Sequence, residues 1–274
     1  MTIGQRPRWR YIYDDLRTAI ERDELPPGSR VPAEMSLAEQ YGYARNTVRT
    51  ALNALQADGL ITAGAGSLGR TVRRRYQIFF DAADFERGVY HDNPARAQDQ
   101  WKADVERQGW TPRQIIRVDW LPAPRDVAEW LDVPPGELLA RRRRVRLVSR
   151  PPSDPEMPLM LADTWTPEDI ARRVLTDDQG QEYCPLLEER DVVVRGGIIR
   201  AIGINQVEFE DMIVPRMPSP DEVELLDLQP GSPVGQHARI GIDDTGRRVR
   251  ALVSTWAGDR QVLRYRLPVP SPEE

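Results

Sequence analysis

Residues 33–75, AEMSLAEQYGYARNTVRTALNALQADGLITAGAGSLGRTVRRR, decide how the first part of this chain folds. Leu37, Ala38 and Tyr41 recur at helical spacing, and Gly42 follows where a helix C-terminus needs positive φ. In the next stretch Val48, Ala51, Leu52 and Leu55 share one helical face, and Arg45, Asn46, Thr47 and Arg49 point toward the other. Ala38 is small where two helices have to cross. Two short helices joined by a tight turn predict a helix-turn-helix. Arginine, asparagine and threonine at the start of its second helix are the side chains that read base edges in a major groove. A plain three-helix core with a surface hairpin is the alternative, and it leaves that concentration of groove-reading types unexplained.

The hairpin follows at once. LITAG and GRTVRR are short strand-like runs around Gly64, Gly66 and Gly69, and a glycine-rich tip lets backbone approach a phosphate or a minor groove. Upstream, residues 9–22 predict an amphipathic helix with Ile12, Leu16, Ala19 and Ile20 on one face, ended by the turn LPPGSRVP. Residues 1–8 are expected to be disordered. Together these elements predict a winged helix.

The totals fit a nucleic-acid-binding head on a second domain. The chain has 274 residues and a net charge of −5. The charge is uneven: residues 1–75 carry 12 arginines against 8 acidic residues, and the remainder 26 basic against 35 acidic. A mildly basic head suits DNA, and an acidic body limits indiscriminate adhesion. The single cysteine, Cys184, excludes an intrachain disulfide and suits a reducing cytoplasm. No signal-like start is visible, and no apolar run reaches the ~18 residues of a membrane span. Basic charge is carried by arginine apart from Lys102.

Residues 76–274 alternate strands and helices. RRRYQIFFD reads as a connection, and Arg73–Arg75 as a solvated strand end or a DNA-backbone contact. Residues 97–109 predict a helix ending at Gly109, and QIIRVDWL a strand. A unit then occurs twice: LDVPPGELLARRRRVRL and LDLQPGSPVGQHARIGI, each a helix end, a Pro-Gly turn and a strand. The spacing is constant across Leu131/Leu226, Asp132/Asp227 and Gly136/Gly231, which predicts one sheet built from two related halves. Further strands are expected at 158–166, 193–213, 248–257 and near 261–267, with Pro167 in the first turn of a helix and a mobile tail PVPSPEE.

These residues resemble the GntR family of bacterial transcription regulators. The resemblance rests on YIYDDLRTAIERDELPPGSRVPAEMSLAEQYGYARNTVRTALNALQADGLI, which covers most of the first 75 positions. The body resembles the effector-sensing UTRA domain of the HutC-like branch, through RRRRVRL, PLMLADTWTP, RMPSPDEVELLDLQPGSPV and a late GDR. The resemblance implies an α+β chain: a winged helix-turn-helix at 1–75, a connecting strand at 76–88, and at 89–270 an effector-binding and dimerisation domain. That domain is mixed α/β with a mainly antiparallel, chorismate-lyase-like sheet. It also implies a cytoplasmic homodimeric repressor of a double-stranded DNA operator with palindromic half-sites. A small-molecule effector would release it, and no cofactor, metal or membrane is required.

Residue roles follow from the same resemblance. Arg45 and Arg49 would face the major groove, Asn46 and Thr47 a phosphate or base edge, and Gly66, Gly69 and Arg70 the wing contact. Arg142, Arg144 and Arg146 alternate along one strand and so share a face. Each guanidinium is able to fork onto a phosphate or carboxylate, although an exposed face balanced by acidic neighbours is the plainer reading. Trp256 and Asp211 are further effector candidates. The chain departs from the family at Ala33 and Met35, where Ser and Arg are usual, and in the long wing GAGSLGR. It also departs at Ala162, where a glutamate is usual, which implies a less polar effector, and in the long loop SRPPSDPEM, a candidate pocket lid.

Two other functions stay open on the sequence: a DNA-binding dimer without a ligand, and an enzyme using the lyase-like body. Against catalysis, His91 and His237 stand outside any metal-ligand spacing, and no nucleophile elbow or phosphate-binding glycine loop is present.

Overall fold

The computed structural model describes residues 7–62, 69–73, 77–81, 100–150, 156–228 and 231–265. Expectations for residues 1–6, Gly64, Gly66, Arg74, Arg75, His91, 97–99, 151–155 and the tail beyond Tyr265 lie outside these residues. The chain divides into two compact units, Met1–Tyr76 with Gln229–Ser232, and Gln77–Leu228 with Pro233–Glu274.

In the first unit, α1 (Arg8–Glu21), α2 (Glu34–Tyr41) and α3 (Arg45–Ala57) enclose one core. The apolar stripe of α3 is buried as its spacing predicts: Val48, Ala51, Leu52 and Leu55. On α1 the buried set is Ile12, Tyr13 and Leu16. Ala19 and Ile20 are half-buried, and Tyr13 takes their place because its hydroxyl reaches Asp58 at the end of α3. Gly42 ends α2 at φ 66°, a left-handed conformation that strains most other residues. The Pro/Gly turn after α1 does more than stop a helix. Arg30 bridges Thr71, and Val31 and Gly28 donate backbone hydrogen bonds to Arg70 and Val72. With the Ile61–Val72 bridge, this segment adds a third short strand to the base of the wing.

The second unit is built on a six-stranded antiparallel sheet in the order β2-β3-β4-β9-β8-β7. The strands are β2 (Thr111–Pro122), β3 (Leu138–Ser149), β4 (Met157–Thr166), β7 (Gln206–Arg216), β8 (Val234–Asp243) and β9 (Arg248–Ala257). A short β1 (Ile78–Asp81) pairs in parallel with β10 (Gln261–Arg264), and β5 (Leu175–Thr176) with β6 (Glu182–Tyr183). The helices are α4 (Gln100–Arg107), α5 (Arg125–Leu131), α6 (Glu168–Ala171), α7 (Ile198–Ala201) and α8 (Pro220–Leu225).

The repeat read in the sequence is a repeat of structure. β2-α5-β3-β4 and β7-α8-β8-β9 occupy mirrored places in the strand order, with β4 and β9 paired at the centre. Asp132 and Asp227 both take positive φ (53° and 46°), as do Gly136 and Gly231 (81° and 80°). The helix ends close alike, Val133 N–H on Ala128 O and Leu228 N–H on Val223 O, both 3.0 Å. The stretch SPDE starts α8 with a capping box between Ser219 and Glu222. Arg260 of the GDR motif is buried and donates to the carbonyls of Pro158, Leu226 and Asp227, tying β4 to the end of α8.

Two expectations need correction. The strand expected at 193–213 begins only at Gln206. Gly196 and Gly197 turn the chain at positive φ, and Ile198–Ala201 is helical. Its isoleucines pack with Ile170, Leu186 and Val249, so β-branched residues that suit a strand here serve a short helix. Pro167 stands one place before α6 as its N-cap rather than in the first turn.

Candidate DNA-reading surface and effector face

On α3 the side chains of Arg45, Asn46 and Arg49 are exposed, and Thr47 is half-buried. They stand opposite the stripe that anchors α3 in the core, so burying that stripe turns them outward. Arg49 Nη2 donates to Asn46 Oδ1 at 2.5 Å. Arg45 Nε donates to Glu34 Oε2 at 3.2 Å across the helix-turn-helix. Arg70 at the wing base donates to Asn53 Oδ1 at 2.7 Å. Gly69 has φ 68°, and an added Cβ there would meet no atom within 4 Å, so its need for glycine is conformational.

Strand register organises the second set of candidates. One row across the sheet reads Arg142, Thr164, Leu252, Arg239, Asp211. The next reads Arg144, Ala162, Ser254, His237, Ile213, and a third reads Arg146, Met160, Trp256, Gly235, Pro215. Residues in register, and residues two apart on one strand, point to the same side. Arg142, Arg144, Arg146, Asp211 and Trp256 therefore lie on one face. The other face has an apolar core: Leu139, Trp165, Ala238, Ile240 and Ala251 bury against Val127, Ala128 and Leu131 of α5. The arginine run of β3 divides between the faces. Arg141 pairs with Asp119 at 2.7 Å, and Arg143 grips Asp163 at 2.8 and 2.6 Å on the helix-covered side.

Most of the polar face is buried, while Asp211, Ile213 and Pro215 at its β7 edge are exposed. Arg142 is 4% exposed and donates to the carbonyls of Glu188 (3.0 Å) and Arg190 (2.6 Å), so it fastens the 188–190 segment over the sheet. Arg144 is half-buried, with Nη1 3.1 Å from Thr164 Oγ1. Arg146 is buried with its guanidinium 4.8 Å from the Trp101 ring centre. Trp256 is 6% exposed, and its indole packs against Gly235 of β8.

Asp211 takes both guanidinium donors of Arg239 (2.7 and 2.6 Å) and lies 2.8 Å from His237 Nε2. Burial alone would raise its carboxyl pKa. The hydrogen bonds and charges of Arg239 and His237 outweigh burial and hold it well below the usual aspartate range. Tyr265 Oη reaches the same carboxylate at 3.2 Å, and its pKa is pushed up to about 12 by burial and then by the Asp211 charge.

Sequence reasoning missed Thr164, Ser254, His237 and Arg239, all buried on this face. A signal was present. At the spacing of the repeat, His237 and Arg239 occupy the places of Arg142 and Arg144, which nominates them as a second alternating pair. Among the described residues, no group of three or more His, Cys, Asp and Glu could hold a metal ion, and no helix is long and apolar enough to cross a membrane.

A winged helix-turn-helix that presents arginines outward, on the same chain as a sheet with a buried polar face, defines a DNA-binding transcription regulator controlled by a ligand. Residues 10–67 match the pattern of bacterial regulatory proteins of the gntR family, and residues 108–261 match the UTRA domain. The chain belongs to the GntR family, in its HutC-like UTRA branch. It is 24% identical over 251 residues to the mannosyl-D-glycerate transport/metabolism system repressor MngR of Escherichia coli strain K12, covering 89% of each chain. It is 23% identical over 260 residues to the transcriptional repressor NagR of Bacillus subtilis strain 168, covering 93% of this chain and 92% of that one. The crystal structure of another GntR-family regulator superposes with a TM-score of 0.59 at 22% identity, over 97% of this chain and 99% of that one. At that identity the likeness speaks for the fold.

Proposed function

We propose that the chain is a cytoplasmic homodimeric repressor, with residues 1–75 binding DNA, 76–88 connecting, and 89–270 sensing an effector and dimerising. The base-edge contacts come from Arg45 and Arg49, with Asn46 and Thr47 on base or phosphate and Gly66, Gly69 and Arg70 at the wing. Two subunits address palindromic half-sites about 34 Å apart. The effector binds on the sheet face of Arg142, Arg144, Arg146, Asp211 and Trp256. There Arg144 and Arg146 offer forked donors, Trp256 offers an apolar plane, and Arg142 holds the covering segment in place. The methyl of Ala162, in register between Arg144 and Ser254, favours a less polar effector than a glutamate there would. No step calls for a cofactor, and the body acts by binding rather than by turnover.

The observation that carries this reading is the burial of arginine, histidine, serine and threonine in adjacent register rows on one sheet face. Buried polar groups are expensive unless they serve a partner or a ligand. A ligand changes DNA affinity only by binding two arrangements of the protein unequally. The test is to enrich a duplex from a random library with the purified chain, then screen metabolites for release of that duplex. A releasing compound should act on the wild type and fail on Arg144→Met, which still binds the duplex. A compound that releases both proteins alike, or is chemically converted during the assay, contradicts the proposal.

A further inference from the structure

We propose that Glu34, the first residue of α2, is the positioning residue of the DNA-reading surface. It grips Arg45 by its Nε edge, so that the remaining fork is aimed outward, and draws the wing-base Arg70 to the same junction. This rests on the reading of Arg45 as a base contact.

The geometry is asymmetric in an informative way. Arg45 is bound at Nε, 3.2 Å from Glu34 Oε2, while its side chain stays 68% exposed. With Nε engaged by Glu34, the Nη pair remains to bond guanine O6 and N7. Glu34 is only 23% exposed, and its other oxygen lies 3.9 Å from Arg70 Nη1. Arg70, 18% exposed, donates from Nη2 to Asn53 Oδ1 of α3. One carboxylate on α2 thus meets arginines from the start of α3 and from the wing base.

Stability is a poor explanation for the Glu34–Arg45 contact, because its arginine is solvent-exposed and such pairs contribute little to stability. Orientation explains it better. A free arginine samples many rotamers, and fixing it before contact removes part of the ordering loss on binding. The same carboxylate repels DNA phosphates and so lowers affinity for every sequence. Glu34 therefore favours the right sequence at the expense of general adhesion. It also places a favourable charge in the first turn of α2, which a test has to separate from its hold on Arg45.

The experiment uses the full chain, a duplex enriched from a random library by the wild type, the single-base-pair variants of that duplex, and an unrelated duplex. Arg45→Ala should flatten the preference at one base pair of each half-site. Glu34→Gln should weaken the preference at that same base pair about fivefold to tenfold, bind the unrelated duplex more tightly than wild type, and add no further loss in the Arg45→Ala background. Glu34→Asp keeps the helix-end charge but shortens the reach. It should lose the preference as Gln does, while leaving the unrelated duplex at wild-type affinity. A Glu34→Gln protein that keeps the preference while Arg45→Ala loses it overturns the role of Glu34, as does a loss at a different base pair. If Arg45→Ala itself changes nothing, the base-contact reading fails and the inference falls with it.

Discussion

Gly235 is a sensitive point on the proposed effector face. It lies opposite Trp256 in the β8–β9 pairing. A Cβ at Gly235 would stand 2.6 Å from Trp256 Cε2 and Cζ2 and 2.9 Å from Nε1. Carbon atoms rest about 3.5–4.0 Å apart, so Gly235→Ala forces the indole back by about 1 Å. The ring is buried and cannot retreat into solvent. Overpacking of this kind costs about 1–3 kcal/mol. At about 2 kcal/mol, a unit of this size should lose roughly 4–8 °C in the melting temperature of its transition. Calorimetry on the full chain measures that shift. In a Trp256→Leu background the clash is gone, and the same substitution should cost less than about 0.5 kcal/mol. An unchanged melting temperature, or an equal loss in both backgrounds, refutes the reasoning.

Other substitutions separate anchoring from recognition. Arg142→Met removes two bonds to the 188–190 carbonyls and should destabilise by about 2–3 kcal/mol. Amide exchange across 186–192 should accelerate, and unchanged exchange rejects the anchoring role. Arg143→Met, on the helix-covered face, should cost about 2 kcal/mol through Asp163 yet leave effector release of DNA intact; loss of release would misplace the site. Asp211 has a depressed carboxyl pKa in the folded chain and an ordinary one, about 3.9, when unfolded. Its stabilisation is therefore complete above about pH 5 and is lost as pH falls through the folded value. Asp211→Asn should melt about 1–2 kcal/mol below wild type at pH 7, with the gap closing toward pH 3. A gap that widens in acid reverses the sign and rejects the pairing.

The helix-turn-helix was legible because its signals are local. The stripe Val48, Ala51, Leu52, Leu55 and the cap at Gly42 lie within one short stretch, and burying the stripe fixes where Arg45 and Arg49 point. The repeat was legible because Asp132/Asp227 and Gly136/Gly231 hold a left-handed conformation that few sequences supply. The proposed effector face was half legible. Alternation along β3 put Arg142, Arg144 and Arg146 on one side, but Thr164, Ser254, His237 and Arg239 join them only through cross-strand register, which spans up to about a hundred residues of chain. The parallel pairing of β1 with β10 joins segments even further apart, and nothing near Ile78 announces it. The error at 193–205 has a local cause: Val193, Val194, Ile198, Ile199, Ile202 and Ile204 are β-branched residues of the kind strands favour, and the positive φ at Gly196 and Gly197 breaks the run.

The recognition helix is tested most directly by the affinity of Arg49→Ala for the enriched duplex, measured by fluorescence anisotropy beside an unrelated duplex at the same salt concentration. With Arg49 exposed beside Asn46, its loss should weaken the enriched duplex by about tenfold to a hundredfold and narrow the gap between the two duplexes. Equal affinity of variant and wild type for the enriched duplex would mean that the α3 surface does not read DNA.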